Sequence, residues 1–121
     1  MSISVEVDAE QLTRSIESRD ATDLLGHYAD DAEVSIFDCD TSLPPRVLAG
    51  QDEIRGWLDQ LGWSSMRHRV VDVIVDADRL SWTDHCRTSS GLNIVYQSVA
   101  ELAGGLISRQ RITLVWEDLR Y

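Results

Sequence analysis

The chain has 121 residues, a formal net charge of −10 at pH 7 and an apolar fraction of 43%. This length predicts one domain spanning residues 1–121 with a single core. The excess of acidic residues argues against nucleic-acid or anionic-membrane partners, because phosphates would be repelled. No apolar run reaches the ~20 residues that span a bilayer, and the N-terminus lacks a signal-peptide pattern, so a cytoplasmic location is expected.

The cysteines indicate the same compartment. Cys39 and Cys86 are the two cysteines of the sequence, too few for a disulfide framework and typical of a reducing environment. Whether these two thiols pair with each other stays open.

The first third of the chain is predicted to contain two short helices and one strand. Asp8 and Asp20 are candidate N-caps, because apolar residues at i,i+4 spacing follow each of them. Residues 33–37 alternate like a short strand, and residues 38–49 have the composition of a loop.

An amphipathic helix is predicted next, over Gln51–Leu61, and Gly62 is the expected C-terminal stop. The remainder is predicted to be β: strands at Arg67–Val75 and 80–88, then a long hairpin over 92–116 around Gly104 and Gly105. The predicted order is α-α-β-α-β-β-β-β. The hairpin is apolar on both faces, so both faces need covering.

Residues 28–34 read Tyr-Ala-Asp-Asp-Ala-Glu-Val, and residues 48–57 read Leu-Ala-Gly-Gln-Asp-Glu-Ile-Arg-Gly-Trp. These two segments resemble the NTF2-like superfamily, and within it the SnoaL-like and ketosteroid-isomerase-like proteins. The resemblance implies an α+β fold, the NTF2-like (cystatin-like) cone, in which a curved mixed sheet packs on three N-terminal helices. It also implies a cavity for a small apolar molecule and a homodimer formed through the convex sheet face.

The catalytic groups of these relatives do not carry over residue by residue. The positions matching the isomerases' general base and helix tyrosine hold Ile36 and Leu12, and their later-strand aspartate falls near Gln97 or Ser98. The acid of the epoxide-hydrolase relatives is replaced by Ile112. The resemblance therefore implies neither ketosteroid isomerisation nor that epoxide hydrolysis, and no cofactor is expected.

Asp84 is the first candidate catalytic residue. It shares strand parity with Leu80, Trp82 and Cys86, whereas its sequence neighbours of opposite parity are polar. If the apolar parity lines the cavity, Asp84 points inward beside an indole and is a candidate general acid or base. The alternative is that Asp84 lies at the cavity rim or pairs with an arginine of a neighbouring strand.

Asp38 is the second candidate catalytic residue, because it lies close to the position of the family's base and shares parity with Val34 and Ile36. The alternative is a turn in which Asp38, Asp40 and Thr41 hydrogen-bond their own backbone.

The candidate substrate-binding residues are polar groups in apolar rows and large flat rings. They are Tyr28, His68, Tyr96 and Gln110 in the first group and Trp57, Trp82 and Trp116 in the second. A pocket needs a few polar groups among many apolar ones, although buried polar groups are more commonly satisfied by the protein itself. Trp63 is expected in a loop or an interface.

The histidines do not indicate a metal site. His27, His68 and His85 show neither i,i+4 nor His-x-His spacing, so no metal is predicted. Nucleotide binding is unsupported, because the glycine pair joins two strands instead of following a strand into a helix. Ser-His-Asp and Cys-His triads have no recognisable spacing.

Arginines are predicted on the convex sheet face, interleaved with apolar residues. The set comprises Arg67, Arg69, Arg109 and Arg111 with Val71, Val73, Ile107 and Val115. These arginines could meet Glu101 of a second copy in a homodimer, or they could lie on a solvated face with ordinary cross-strand pairs.

Two classes of function remain open at this stage. One is a cofactor-free isomerase, cyclase or hydratase that acts on a ring-containing metabolite, with Asp84 or Asp38 moving a proton. The other is a non-catalytic binding or dimeric accessory module of the same fold.

Overall fold

A computed structural model describes residues 9–39 and 44–117. In this part of the chain there are three helices and one sheet of six strands; two helices come before the first strand, and the third lies between the second and third strands. In chain order the elements are α1 (Ala9–Glu17), α2 (Ala21–Leu25), β1 (Tyr28–Asp38), β2 (Arg46–Ala49), α3 (Gln51–Leu61), a 3₁₀ turn (Trp63–Ser65), β3 (Arg67–Val75), β4 (Arg79–Arg87), β5 (Asn93–Ala103) and β6 (Leu106–Glu117). Within these two ranges, no helix has the length and apolar content to cross a membrane.

The six strands form one mixed sheet in the order β2-β1-β6-β5-β4-β3. β1 runs parallel to β6, and every other neighbouring pair is antiparallel. The predicted hairpin is confirmed as β5 and β6, which occupy the centre of the sheet. Gly104 and Gly105 have φ angles of 59° and 81°, as a two-residue turn with both central residues left-handed requires.

Three irregularities in strand pairing bend the sheet. They lie in β1 between Tyr28 and Glu33, in β3 between Val71 and Ile74, and between β5 and β6 at Glu101. An extra residue on one strand of a pair increases local bend and twist. The sheet is therefore curved, and the helices pack against its concave face, where the apolar core lies.

The irregularity in β6 corrects one prediction. Glu101 is opposite Arg109, but the next residue, Leu102, is opposite Ile107, so Ser108 is the extra residue. The alternation of faces is reversed there, and Ile107 is fully buried instead of lying on the convex face with Arg109. The other residues predicted on that face are exposed, apart from the half-buried Val71.

Two predictions about the first half were wrong. β1 begins at Tyr28 and not at Glu33, because residues 29–32 are extended and contain the irregularity of that strand. The segment 38–49, predicted as a loop, contains β2, which pairs antiparallel with β1. The four residues of β2 are mostly exposed at the sheet edge, so no buried apolar alternation marked them.

The predicted helix ends are confirmed where they are described. The Asp20 side chain accepts a hydrogen bond from the Asp23 backbone N–H at 3.0 Å. Gly62 ends α3 in the left-handed region with φ 68°. The predicted cap at Asp8 and the predicted turn residues Asp40 and Thr41 lie outside the described residues.

Candidate functional site

A cavity lies between the helices and the concave face of the sheet. The space between its lining atoms is about 490 Å³ including the opening to solvent, and the centres of water molecules can reach about 40 Å³ of it. Its lining is mostly apolar, with five polar side chains on the strands. The lining residues are Ile16, Leu24, Tyr28, Val34, Ile54, Trp57, Leu58, Trp63, Trp82, Asp84, Tyr96, Ser98, Gln110 and Ile112.

The strand register determines which side chains share the concave face. One cross-strand row runs Asp38, Leu114, Tyr96, Asp84. The next row runs Ile36, Ile112, Ser98, Trp82, and the third runs Val34, Gln110, Ala100, Leu80. Residues opposite each other on neighbouring strands project to the same side of a sheet. The apolar parity of β4 therefore lines the cavity, and Asp84 points inward as predicted.

Asp84 is held by His68. The His68 Nδ1 and Asp84 Oδ2 atoms are 2.8 Å apart, and His68 Nε2 is 2.8 Å from the carbonyl oxygen of Trp63. A carbonyl oxygen only accepts, so Nε2 must carry a proton and donate it. The contact to Asp84 then holds a further proton, located either on Nδ1 or on the carboxyl oxygen. His68 also lies against the Trp63 ring, with ring centroids 4.6 Å apart.

Two polar atoms on this cavity lack a hydrogen-bond partner among residues 9–39 and 44–117. They are Asp84 Oδ1 and the Tyr96 hydroxyl oxygen, and we call them the open pair. Asp84 and Tyr96 are opposite each other on β4 and β5, and both are buried, with 4% and 5% of their surface exposed. The open pair thus provides an acceptor and a donor on two residues that are opposite each other in one cross-strand row.

The Tyr96 phenol remains protonated at neutral pH. Burial raises its pKa well above the ordinary value, and neighbouring acidic groups, Asp84 and Asp38 among them, raise the pKa further. Loss of the proton would place another negative charge beside these groups. Tyr96 is therefore a hydrogen-bond donor in this site and not a base.

Three further polar side chains form a connected group on the cavity wall. The Tyr28 hydroxyl donates to Gln110 Oε1, and Gln110 Nε2 donates to Ser98 Oγ at 3.0 Å. Burial raises the pKa of the Tyr28 phenol, and the hydrogen bond to Gln110 lowers it by a smaller amount. We call these residues the Tyr28–Gln110–Ser98 chain.

Cys86 completes the surroundings of His68. Its sulfur is 3.1 Å from His68 Nδ1, and burial, followed by the Asp84 charge, raises the pKa of the thiol. Cys86 is therefore a neutral thiol and a poor nucleophile. Cys39 is exposed, and both cysteines are free, so the pairing left open by the sequence does not occur.

His68, Asp84 and Cys86 are also the residues that could hold a metal ion, with ligand atoms within 4.8 Å of one another. Ligand atoms around a tetrahedral zinc ion lie about 3.3–3.6 Å apart. The observed contacts of 2.8 and 3.1 Å are shorter, as hydrogen-bonded groups require. The described geometry therefore fits shared protons better than a shared ion.

Most predicted site residues meet at this cavity. Tyr28, Trp57, Trp82, Asp84, Tyr96 and Gln110 line it, and His68 lies behind Asp84. Trp116 does not line it; this residue is at the end of β6 and is 40% exposed. Asp38 is half-buried in the same row as Tyr96 and Asp84 but is not part of the cavity lining.

Among the polar and aromatic lining residues, two were not predicted from the sequence as functional candidates. Trp63, expected in a loop or an interface, lies in the 3₁₀ turn and is 5% exposed. Ser98 was noted only as a position near a family aspartate. It shares strand parity with Tyr96, two residues away, and that signal was available in the sequence.

Comparison with known proteins agrees with the geometry. The family model described as a SnoaL-like domain matches residues 9–110. An NTF2-like protein of unknown function from Cytophaga hutchinsonii has 10% identity and a TM-score of 0.65, over 91% of this chain and 98% of that one. No curated protein matches the sequence.

Two other solved structures share the fold. A provisionally assigned ketosteroid isomerase from Kribbella flavida has 15% identity and a TM-score of 0.63, over 98% of this chain and 81% of that one. A provisionally assigned polyketide cyclase from Sinorhizobium meliloti has 19% identity and a TM-score of 0.60, over 84% and 89%. The family resemblance and the NTF2-like α+β fold inferred from the sequence are confirmed.

The buried tyrosines predict how stability responds to alkaline pH. An unfolded phenol ionises near pH 10, whereas folded Tyr28 keeps its proton, so above that pH the unfolded state binds fewer protons. The free energy of unfolding should fall above about pH 10, by up to ~1.4 kcal/mol per pH unit for each such group. Tyr28→Phe should reduce this slope and lower stability at pH 7 by ~1 kcal/mol, because Gln110 loses its donor.

Urea unfolding at pH 7 and in steps up to pH 11 measures both effects. Tyr96→Phe is the matched control: it should reduce the alkaline slope similarly, without the loss at pH 7, because its hydroxyl belongs to the open pair. An unchanged alkaline slope in Tyr28→Phe would contradict the buried, protonated phenol.

Proposed function

The chain belongs to the SnoaL-like domain family, and from that premise we propose that it binds a small ring-containing molecule in its concave cavity and moves a proton on it with Asp84. No cofactor takes part in the proposed step. The ligand is mostly apolar, as the cavity lining is, and carries a carbonyl group that meets the open pair.

The open pair is the observation that carries this proposal. A buried polar group without a partner lowers stability by roughly 1–3 kcal/mol, so native proteins contain few of them. Here the two residues that carry such atoms are opposite each other on neighbouring strands, and both line the same cavity. A ketone would accept a hydrogen bond from Tyr96 through its carbonyl oxygen and present the acidic C–H bond next to that carbonyl to Asp84 Oδ1.

The geometry suits proton abstraction next to a carbonyl. Asp84 Oδ1 takes the proton as the C–H bond breaks, and the electron pair of that bond moves toward the carbonyl oxygen. Tyr96 donates to this oxygen as its negative charge develops. Return of the proton to another carbon completes an isomerisation, and return to the same carbon restores the starting ketone.

His68 positions Asp84 in this scheme. The hydrogen bond between Nδ1 and Asp84 occupies Oδ2, so the other carboxyl oxygen, Oδ1, is the one available to the ligand. The bond from Nε2 to Trp63 fixes the ring orientation. Asp38, the other candidate carboxylate, affects Tyr96 through its charge, and we assign it no proton transfer because it does not line the cavity.

Binding without turnover is the second candidate function. The part of the cavity that water centres can reach is about 40 Å³, enough to admit water. A two-ring ligand must displace this water and move side chains at the opening. Binding of this kind without a reaction is what a storage or sensing protein requires.

We also propose a homodimer through the convex face, on the basis of charge. A cross-strand row on that face runs Glu33, Arg109, Glu101, Arg79, and all four side chains are exposed. The signs alternate. A second copy related by a two-fold axis would place Glu33 against Arg79 and Arg109 against Glu101, so the row is complementary to itself. Exposed Val99 lies in the adjoining row and supplies apolar contact.

Hydrogen–deuterium exchange on 2-tetralone tests the proton transfer directly. In D₂O the protein should accelerate deuterium incorporation at the carbons next to the carbonyl, and NMR spectroscopy measures the rate. Asp84→Asn should reduce the acceleration by roughly 10²–10⁴-fold, because the base is lost. Tyr96→Phe should reduce it by roughly 10²-fold, because the donor to the developing charge is lost.

Asp59→Asn, an exposed position on α3, is the control and should exchange like the wild type. If the Asp84→Asn variant accelerated exchange as much as the wild type does, this residue would have no part in the mechanism. Tetralone binding without any exchange by the wild type would favour the second candidate function.

Light scattering over a range of protein concentrations tests the dimer. The wild type should show a dimer mass that dissociates on dilution and in high salt, because screening weakens exposed charge pairs. Arg109→Glu should be monomeric, and adding Glu101→Arg should restore the dimer. Arg55→Glu on α3 is the control. A monomer mass at every concentration would exclude this interface.

A further inference from the structure

The bonds within the Tyr28–Gln110–Ser98 chain leave two polar hydrogens unused, the second amide hydrogen of Gln110 and the hydroxyl hydrogen of Ser98. Tyr28 gives its hydroxyl hydrogen to Gln110 Oε1, and Gln110 gives an amide hydrogen to Ser98 Oγ. Ser98 Oγ therefore acts as an acceptor, and its own hydrogen remains. Within the described ranges, no acceptor for that hydrogen lies at hydrogen-bond distance.

Turning the Gln110 amide over does not remove the surplus. Nε2 would then donate to Tyr28, Ser98 would donate to Oε1, and the Tyr28 hydroxyl hydrogen would be left. Both hydroxyl-bearing residues line the cavity. In either orientation one hydroxyl hydrogen on a cavity-lining residue is left without an acceptor, and in the observed orientation that residue is Ser98.

This donor is separate from the open pair. Ser98 is two residues from Tyr96 on β5 and lies in the neighbouring cross-strand row, opposite Trp82 and Ile112. Two residues along a strand span about 6.6–6.8 Å and return to the same face. Between and around the two positions the lining is apolar, including the rings of Trp57 and Trp82.

We infer that Ser98 forms a second polar subsite, so that the preferred ligand is a flat, mostly apolar molecule with two oxygen functions. One is the carbonyl that meets the open pair. The other is an acceptor oxygen farther along the ring system, which takes the hydrogen bond from the Ser98 hydroxyl. Ser98 is thus a specificity-determining residue and takes no part in the proton transfer. This inference rests on the proposed function, because it concerns the same cavity.

Paired ligands of equal size test the second subsite. 6-Methoxy-2-tetralone and 6-ethyl-2-tetralone differ by one ether oxygen in place of a methylene group. Quenching of tryptophan fluorescence reports binding, since Trp57, Trp63 and Trp82 line the cavity. The wild type should bind the methoxy compound about fivefold to tenfold more tightly than the ethyl compound, the effect of one hydrogen bond.

Ser98→Ala should abolish this preference while binding the ethyl compound with nearly unchanged affinity, which also shows that the variant is folded. Ser98→Thr retains a hydroxyl and should retain the preference. Ser81→Ala is the control, because Ser81 is opposite Val99 and faces away from the cavity.

A methoxy preference that persists in Ser98→Ala would overturn the second subsite while leaving the proposed function intact. Equal binding of the two compounds by the wild type would overturn it as well. Failure of the wild type to bind either compound would contradict the proposed function itself, and the subsite with it.

Discussion

The hydrogen bond from His68 to the backbone carbonyl of Trp63 determines the chemistry of the cavity. Because the carbonyl only accepts, it fixes a proton on Nε2 and leaves Nδ1 to face Asp84. Oδ2 of Asp84 is thereby hydrogen-bonded to His68, whereas Oδ1 has no partner among the described residues. Which carboxyl oxygen the cavity presents depends on this contact, whereas the register of β4 and β5 places Asp84 opposite Tyr96.

That contact in turn depends on how α3 ends. Gly62 adopts a left-handed conformation that an L-residue with a side chain rarely takes, and the chain turns directly into the 3₁₀ segment that carries Trp63. The indole enters the cavity wall while the carbonyl of the same residue meets His68 at the start of β3. Gly62, which the sequence predicts only as the C-terminal stop of α3, therefore also helps to position the residues of the site.

The sequence predicted the elements that local pattern controls. The hairpin around Gly104 and Gly105, the helix Gln51–Leu61 and the strand Arg67–Val75 all follow from periodicity and turn chemistry. β2 was missed because an exposed edge strand has no buried alternation. The misplaced Ile107 has another cause: one extra residue in β6 reverses the faces, and no residue type marks that reversal in the sequence.

For the site, too, the sequence predicted features that depend on local pattern and missed those that depend on contacts between distant parts of the chain. Parity alone predicted that Asp84 points inward, and it placed Tyr96 and Gln110 in apolar rows. Parity does not cross turns, so it could not show that Asp84 is opposite Tyr96 or that its partner is His68 and not an arginine. Nor could it show the Tyr28–Gln110–Ser98 chain, whose members are joined only by the register of β1, β6 and β5.

The most direct test of this account is the protonation pattern of the His68 ring, measured by long-range ¹H–¹⁵N NMR correlation on the ligand-free protein. The account predicts a proton on Nε2 that exchanges slowly with solvent, because it is buried and bonded to Trp63. His68→Gln identifies the signal by its disappearance. An unprotonated Nε2, or a ring whose protons exchange freely with water, would contradict the arrangement that directs Asp84 into the cavity.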